Sequence, residues 1–135
     1  MTIPDNYSCV HAIPSLDDYM RLRRESGLTP RDALAAEAGL PNSFVAVVIA
    51  HEGETVGMGR VIGDGGLFFQ VVDIAVLPAH QGKGLGKAIM RALMDRLAQS
   101  IAAAAYVSLI ADGEARHLYA AHGFAPVAPK SISMA

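Results

Sequence analysis

The stretch LFFQVVDIAVLPAHQGKGLGKAIM, residues 67–90, switches from one apolar period to another across a few glycines. From Leu67 to Leu77 only Gln70 and Asp73 interrupt the apolar residues, which predicts a strand buried on both faces. After Pro78 the spacing changes. Leu85, Ile89, Leu93 and Leu97 recur at i, i+4, Met90 and Met94 widen the stripe, and Lys87, Arg91 and Asp95 face away, so an amphipathic helix starts near Gly84. Between strand and helix lie Gln81, Gly82, Lys83, Gly84, Leu85 and Gly86. Glycines accept positive φ and let backbone N–H groups converge on one point, and a helix N-terminus adds partial positive charge. The loop is therefore suited to cradle a phosphate, with Lys83 and Lys87 adding direct charge.

Two other phosphate motifs fail on spacing. A Walker loop needs four residues before its Gly-Lys-Ser/Thr, but Gly82 is followed by Gly84 and Gly86, and Ala88 stands where the hydroxyl belongs. The dinucleotide fingerprint needs glycines at i, i+2 and i+5; counted from Gly82 the last position is Lys87, and no acidic residue ends a second strand at the required distance.

Outward from this stretch, Phe44–Ala50 and Thr55–Ile62 read as a hairpin around Glu52, Gly53 and Glu54, and Gly63–Gly66 form a second turn. Upstream, Tyr7–Ile13 is a strand, Ser15 caps a helix from Leu16 to Ser26 that Gly27 ends, and Thr29 with Pro30 opens a second helix that Gly39 and Pro41 close. Downstream, Tyr106–Ile110 is a strand, and Asp112 caps a helix whose inward face reads Ala115, Leu118, Tyr119 and His122, with Gly123 and Phe124 as its stop. The order is βααβββαβα plus a short C-terminal segment. No repeat or linker divides it, so residues 1–135 are expected to form one α/β domain.

Composition narrows the partners. With 52% hydrophobic and 18% charged residues and a net charge of −2, neither disorder nor a basic nucleic-acid surface is expected. Cys9 is the only cysteine, which excludes an internal disulfide and multi-cysteine metal sites and suits a reducing cytoplasm. No apolar run is long enough for a membrane span, and no basic-then-apolar leader opens the chain. No histidine pair has metal-site spacing with a carboxylate.

Gln81, Gly84 and Gly86 resemble the pyrophosphate loop of the GNAT acetyltransferases. The resemblance extends upstream through Asp73-Ile74-Ala75-Val76-Leu77-Pro78 and downstream to Ala115, Leu118, Tyr119, Gly123 and Phe124, which look like that family's A-x-x-L-Y…G-F segment. It implies a mixed, mostly antiparallel sheet, splayed at the central strand and flanked by helices, here with a truncated C-terminal strand region. It also implies acetyl-CoA as co-substrate, with no metal. The main chain of Ile74, Ala75 and Val76 would bind pantetheine like an added strand, and Gln81 to Lys87 would hold the pyrophosphate. Ala115 and Asp112 would lie near the cofactor arm; Asp112 stands where many members carry Asn.

Under this resemblance Tyr119 is the expected general acid for the departing thiolate. Asp73 is the first candidate for the base that takes the amine's proton, although it could instead be a structural ion pair. His80 and His117 read as solvated, and Cys9 as a small core residue. Arg21, Arg23 and Arg24 form a basic cluster, either a solvated helix face or a means of recognising an acidic acceptor. The acceptor is a small-molecule or protein amine. A non-catalytic acyl-CoA sensor and a nucleotide-binding P-loop protein are the competing functions. With eleven residues after Phe124, an exposed sheet edge is expected on the acceptor side, and with it a two-fold homodimer using that edge or Ala128–Ala135.

Overall fold

A computed structural model describes residues 3–135 of the chain. Ser15 Oγ accepts from Asp18 N at 3.1 Å and starts helix α1, Leu16–Glu25, as expected from sequence. Asp17 and Asp18 in its first turn and Arg23 and Arg24 in its last complement the helix dipole. Helix α2, Ala33–Gly39, begins later than predicted: Asp32, not Thr29, is its cap, accepting from Ala35 N at 3.0 Å. The reason is tertiary, because the Thr29 carbonyl is taken by the Arg23 guanidinium.

Strands β1 (Tyr7–Val10), β2 (Val45–His51), β3 (Glu54–Gly63), β4 (Phe68–Val76) and β5 (Tyr106–Leu109) form one sheet in that order. The first four are antiparallel to their neighbours, and β5 runs parallel to β4. β1 ends three residues earlier than the sequence suggested. Two irregularities in β4 matter for function. Met58 pairs with Ala75 and Arg60 with Val72, so Gly59 alone opposes Asp73 and Ile74. This is a β-bulge, and Asp73 sits in it at φ +59°. Gly59 is required there, since a Cβ would lie 2.5 Å from Ile89 Cγ2 and 2.7 Å from Ile74 Cδ1. In addition, β5 pairs only with Phe68–Val71, so the sheet splays beyond Val71 and one edge of Val72–Val76 is left open.

Helix α3, Leu85–Ser100, buries Leu85, Ile89, Met90, Leu93 and Leu97 against one face of the sheet, the stripe read from the sequence. Helix α1 covers the other face with Tyr19 and Leu22. β4 is not buried on both faces as predicted: Phe69, Val71 and Ala75 are, while Ile74 and Val76 are half-buried. The helix expected to cover them, α4 (Arg116–Ala120), is only five residues long. Asp112 does not cap it by side chain but heads a 3-10 turn, Gly113–Ala115, through its carbonyl. No strand follows α4 among the described residues, and no helix there is long and apolar enough to cross a membrane.

Candidate active site

After β4 the chain makes a 3-10 turn, Pro78–His80, and Gln81 reaches back so that its Nε2 donates to Val76 O at 3.0 Å. Gly82 and Gly84 follow at φ +77° and +81°, and Gly84 is the N-cap of α3. A Cβ at either would meet nothing within 4 Å, so the dihedral demands glycine while the space above is open. No side chain caps α3. The first N–H to pair inside it is that of Ala88, with Gly84 O at 3.0 Å, which leaves those of Leu85, Gly86 and Lys87 at the open helix end. Gly86 brings α4 close: a Cβ there would sit 3.4 Å from Leu118 Cδ2.

These groups line a cavity of about 440 Å³ together with Ile74 and Val76 of β4, Ala115, Leu118, Tyr119 and His80. The sequence-predicted Gln81, Gly82, Gly84, Leu85, Gly86 and Lys87 all lie on its wall. Ala75 does not; it is buried toward α1, as strand alternation requires. Lys83 and Asp112 are exposed and outside the lining. Leu77 N donates to Val56 O at 2.9 Å, so by alternation the N–H and C=O of Val76 point away from β3, into the splay. The free N–H groups and the Lys87 ammonium could hold an anion, and the open edge of β4 could hydrogen-bond an extended chain.

Tyr119 is half-buried in this cavity. Burial, and then the negative charge of Asp112, push its phenol above the ordinary tyrosine value, so at neutral pH it carries its proton. His80, read from sequence as solvated, is instead anchored: Tyr7 Oη lies 2.6 Å from its Nδ1, and its ring packs edge-on to Tyr7 and obliquely on His51. Tyr7 is 73 residues away, and no local pattern signals the pairing. His117 is exposed and pairs with Glu114 at 2.8 Å. Burial raises the Cys9 thiol, which keeps it a poor nucleophile.

Asp73 lies on the opposite face. Its Oδ1 accepts from Arg23 Nη1 at 2.6 Å and Tyr19 Oη at 3.1 Å, and its Oδ2 from Arg60 Nε at 2.8 Å. Asp73, the expected general base, is turned by the bulge to the face opposite Ile74 and Tyr119, and two guanidiniums and a phenol bind its carboxylate. The predicted basic cluster on α1 also divides. Arg24 is exposed, Arg21 binds Thr55 O at 2.7 Å, and Arg23 is buried. Among the described residues no three His, Cys, Asp or Glu side chains are grouped to hold a metal ion.

A family model described as Acetyltransferase (GNAT) domain matches residues 42–126. A solved structure from meticillin-resistant Staphylococcus aureus, a protein of unknown function and candidate acetyltransferase, is 43% identical and superposes with a TM-score of 0.91 over 96% of this chain and 97% of that one. A candidate GNAT-family acetyltransferase from Xanthomonas campestris is 25% identical, with a TM-score of 0.78 over 99% of this chain and 94% of its own. Glucosamine-6-phosphate N-acetyltransferase from Arabidopsis thaliana shares the fold at 20% identity, with a TM-score of 0.70 over 97% of each chain. No curated protein sequence matches the chain.

Proposed function

The chain belongs to the GNAT acetyltransferase family, and on that premise we propose that it moves the acetyl group of acetyl-CoA to a primary amine by direct attack in a ternary complex. The observation that carries this reading is the single cavity that joins the uncapped end of α3, the open edge of β4 and the protonated phenol of Tyr119. Acetyl-CoA, when bound, supplies an activated acetyl thioester.

In this reading the N–H groups of Leu85, Gly86 and Lys87, with the Lys87 ammonium, hold the phosphates. The free edge of β4 from Ile74 to Val76 aligns the arm as an added strand would. The Val76 N–H, aimed into the splay, donates to the oxygen where negative charge develops. As the C–N bond forms and the C–S bond breaks, Tyr119 Oη gives its proton to the departing sulfur, and the proton the amine sheds returns through water to the phenolate. Positioning supplies most of the rate, because both partners are held across one strand. The test is CoA release over a panel of amines: amine-dependent turnover supports the proposal, and tight CoA binding with no release from any amine would favour a sensor instead.

We further propose a homodimer. β5 is an edge strand, and the apolar side chains of Phe68, Tyr106 and Ile110 are exposed there. Light scattering at micromolar concentration should give two chain masses; one chain mass would overturn this assembly.

A further inference from the structure

The ion cluster on the α1 face of β4 does not balance. Among the described residues, Arg23 and Arg60 have Asp73 as their one acidic partner, so two guanidiniums meet one carboxylate. The side chains of Arg23, Asp73 and Arg60 are only 7%, 6% and 12% exposed. A charge this far from water is costly unless an opposite charge is near, and one positive charge in the cluster has none.

The surplus can be located. Arg23 is fully engaged, with Nη1 on Asp73 and Nε and Nη2 on the Thr29 carbonyl. Arg60 is not. Its Nε binds Asp73 and its Nη1 donates to Ser43 Oγ at 2.9 Å, while Nη2 has no partner among the described residues. The one fully buried side-chain nitrogen or oxygen left without a partner there is Ser26 Oγ, so Arg60 Nη2 keeps some contact with solvent. The guanidinium is also held in place by the ring of Tyr19, whose centroid lies 5.7 Å from its Cζ. A fixed fork with one free nitrogen is suited to a carboxylate or phosphate oxygen.

Its position gives the free nitrogen a purpose. Arg60 pairs with Val72 and bonds Asp73, at the point where β5 has already left β4. Ile74 and Val76 line the cofactor cavity on the other face of the same strand. The splay thus opens at Val72 and Asp73, the two strand residues that Arg60 pairs with and bonds. We propose that the acceptor is an amine bearing an acidic group, carboxylate or phosphate, and that Arg60 Nη2 binds that group. This inference rests on the acetyl-transfer reading and names the substrate class for that site.

The test uses matched acceptors with the unmodified protein: an α-amino acid against its carboxamide, and glucosamine 6-phosphate against glucosamine. The first pair reads a carboxylate and the second a phosphate. In at least one pair the acidic member should have a kcat/KM roughly ten- to a hundred-fold higher, chiefly through KM, as expected for a charge-assisted hydrogen bond. Arg60→Gln, checked for folding and for unchanged acetyl-CoA affinity, should remove that preference. Equal turnover of acidic and neutral members in both pairs would overturn the inference while leaving acetyl transfer intact, as would a preference that survives in folded Arg60→Gln. Release of CoA with no amine of either charge, by protein that binds acetyl-CoA, would overturn the acetyl-transfer reading itself.

Discussion

The two faces of β4 between Val72 and Val76 are built on opposite plans. Toward α3 the strand borders a cavity with free main-chain N–H groups, the side chains of Lys87 and Tyr119, and a small or apolar wall of Ile74, Val76, Gly84, Gly86 and Ala115. Toward α1 it meets Tyr19, Arg23, Arg60 and Asp73, joined by short side-chain hydrogen bonds. One face leaves its hydrogen-bonding capacity free and the other consumes nearly all of it. The charges behind the strand tie it to α1 and β3 without occupying the cavity.

Four experiments bear on this division, in order of expected effect. Gly84→Glu attacks the open face, placing a side chain and a negative charge where φ is +81° and free space lies above the helix end. Calorimetry should detect no acetyl-CoA binding in a folded variant, and unchanged affinity would remove the loop from the site. Asp73→Ala attacks the closed face. It leaves two nearly buried guanidiniums without their anion and should cost about 3–5 kcal/mol in urea unfolding; a loss under about 0.5 kcal/mol, typical of a surface change, would mean the cluster does not hold the strand. Tyr119→Phe keeps the ring but removes the proton, so kcat should fall roughly ten- to a thousand-fold with acetyl-CoA affinity unchanged. Wild-type turnover where chemistry is rate-limiting would return Tyr119 to a packing role.

The smallest effect is in pH. Tyr19 is raised above its ordinary value by burial first and then by the Asp73 carboxylate, and Tyr119 by burial first and then by Asp112, so each face contributes one such phenol. The folded chain keeps protons that the unfolded chain releases near pH 10, so this stabilisation is complete below about pH 10 and is lost as pH rises through the raised values. The urea midpoint should therefore fall as pH climbs past about 10, and less steeply in Tyr119→Phe; identical slopes would remove Tyr119 from the linkage.

The open face was far more legible in the sequence than the closed one. Gln81, Gly84 and Gly86 are close neighbours whose spacing carries their meaning, and the stripe from Leu85 to Leu97 repeats within one helix. The place of Tyr119 beside the glycine loop was legible through its motif. The closed face is assembled across distance: Asp73 meets Arg23 from 50 residues away and Arg60 from 13, and the Thr29 carbonyl is claimed by a side chain of another turn. Such pairings depend on where α1 lands on the sheet, and periodicity holds no record of that. The same is true of Tyr7 beside His80, and of the late start of α2.

The bulge has a further consequence, best put in terms of phase. Along β4, Phe69 and Val71 share the α3 side with Ile74 and Val76, although an unbroken strand would put odd- and even-numbered residues on opposite sides. The extra residue at Asp73 shifts the alternation by half a cycle, so Val72 and Asp73 both turn toward α1 and everything beyond is inverted. A strand carrying such a slip holds two reading frames, one for the core it enters from and one for the chemistry it leaves toward. Removing Asp73 would close the slip and restore plain alternation, leaving Ile74 and Val76 toward the cavity and Ala75 toward α1, so the surface lost would be the charged one alone.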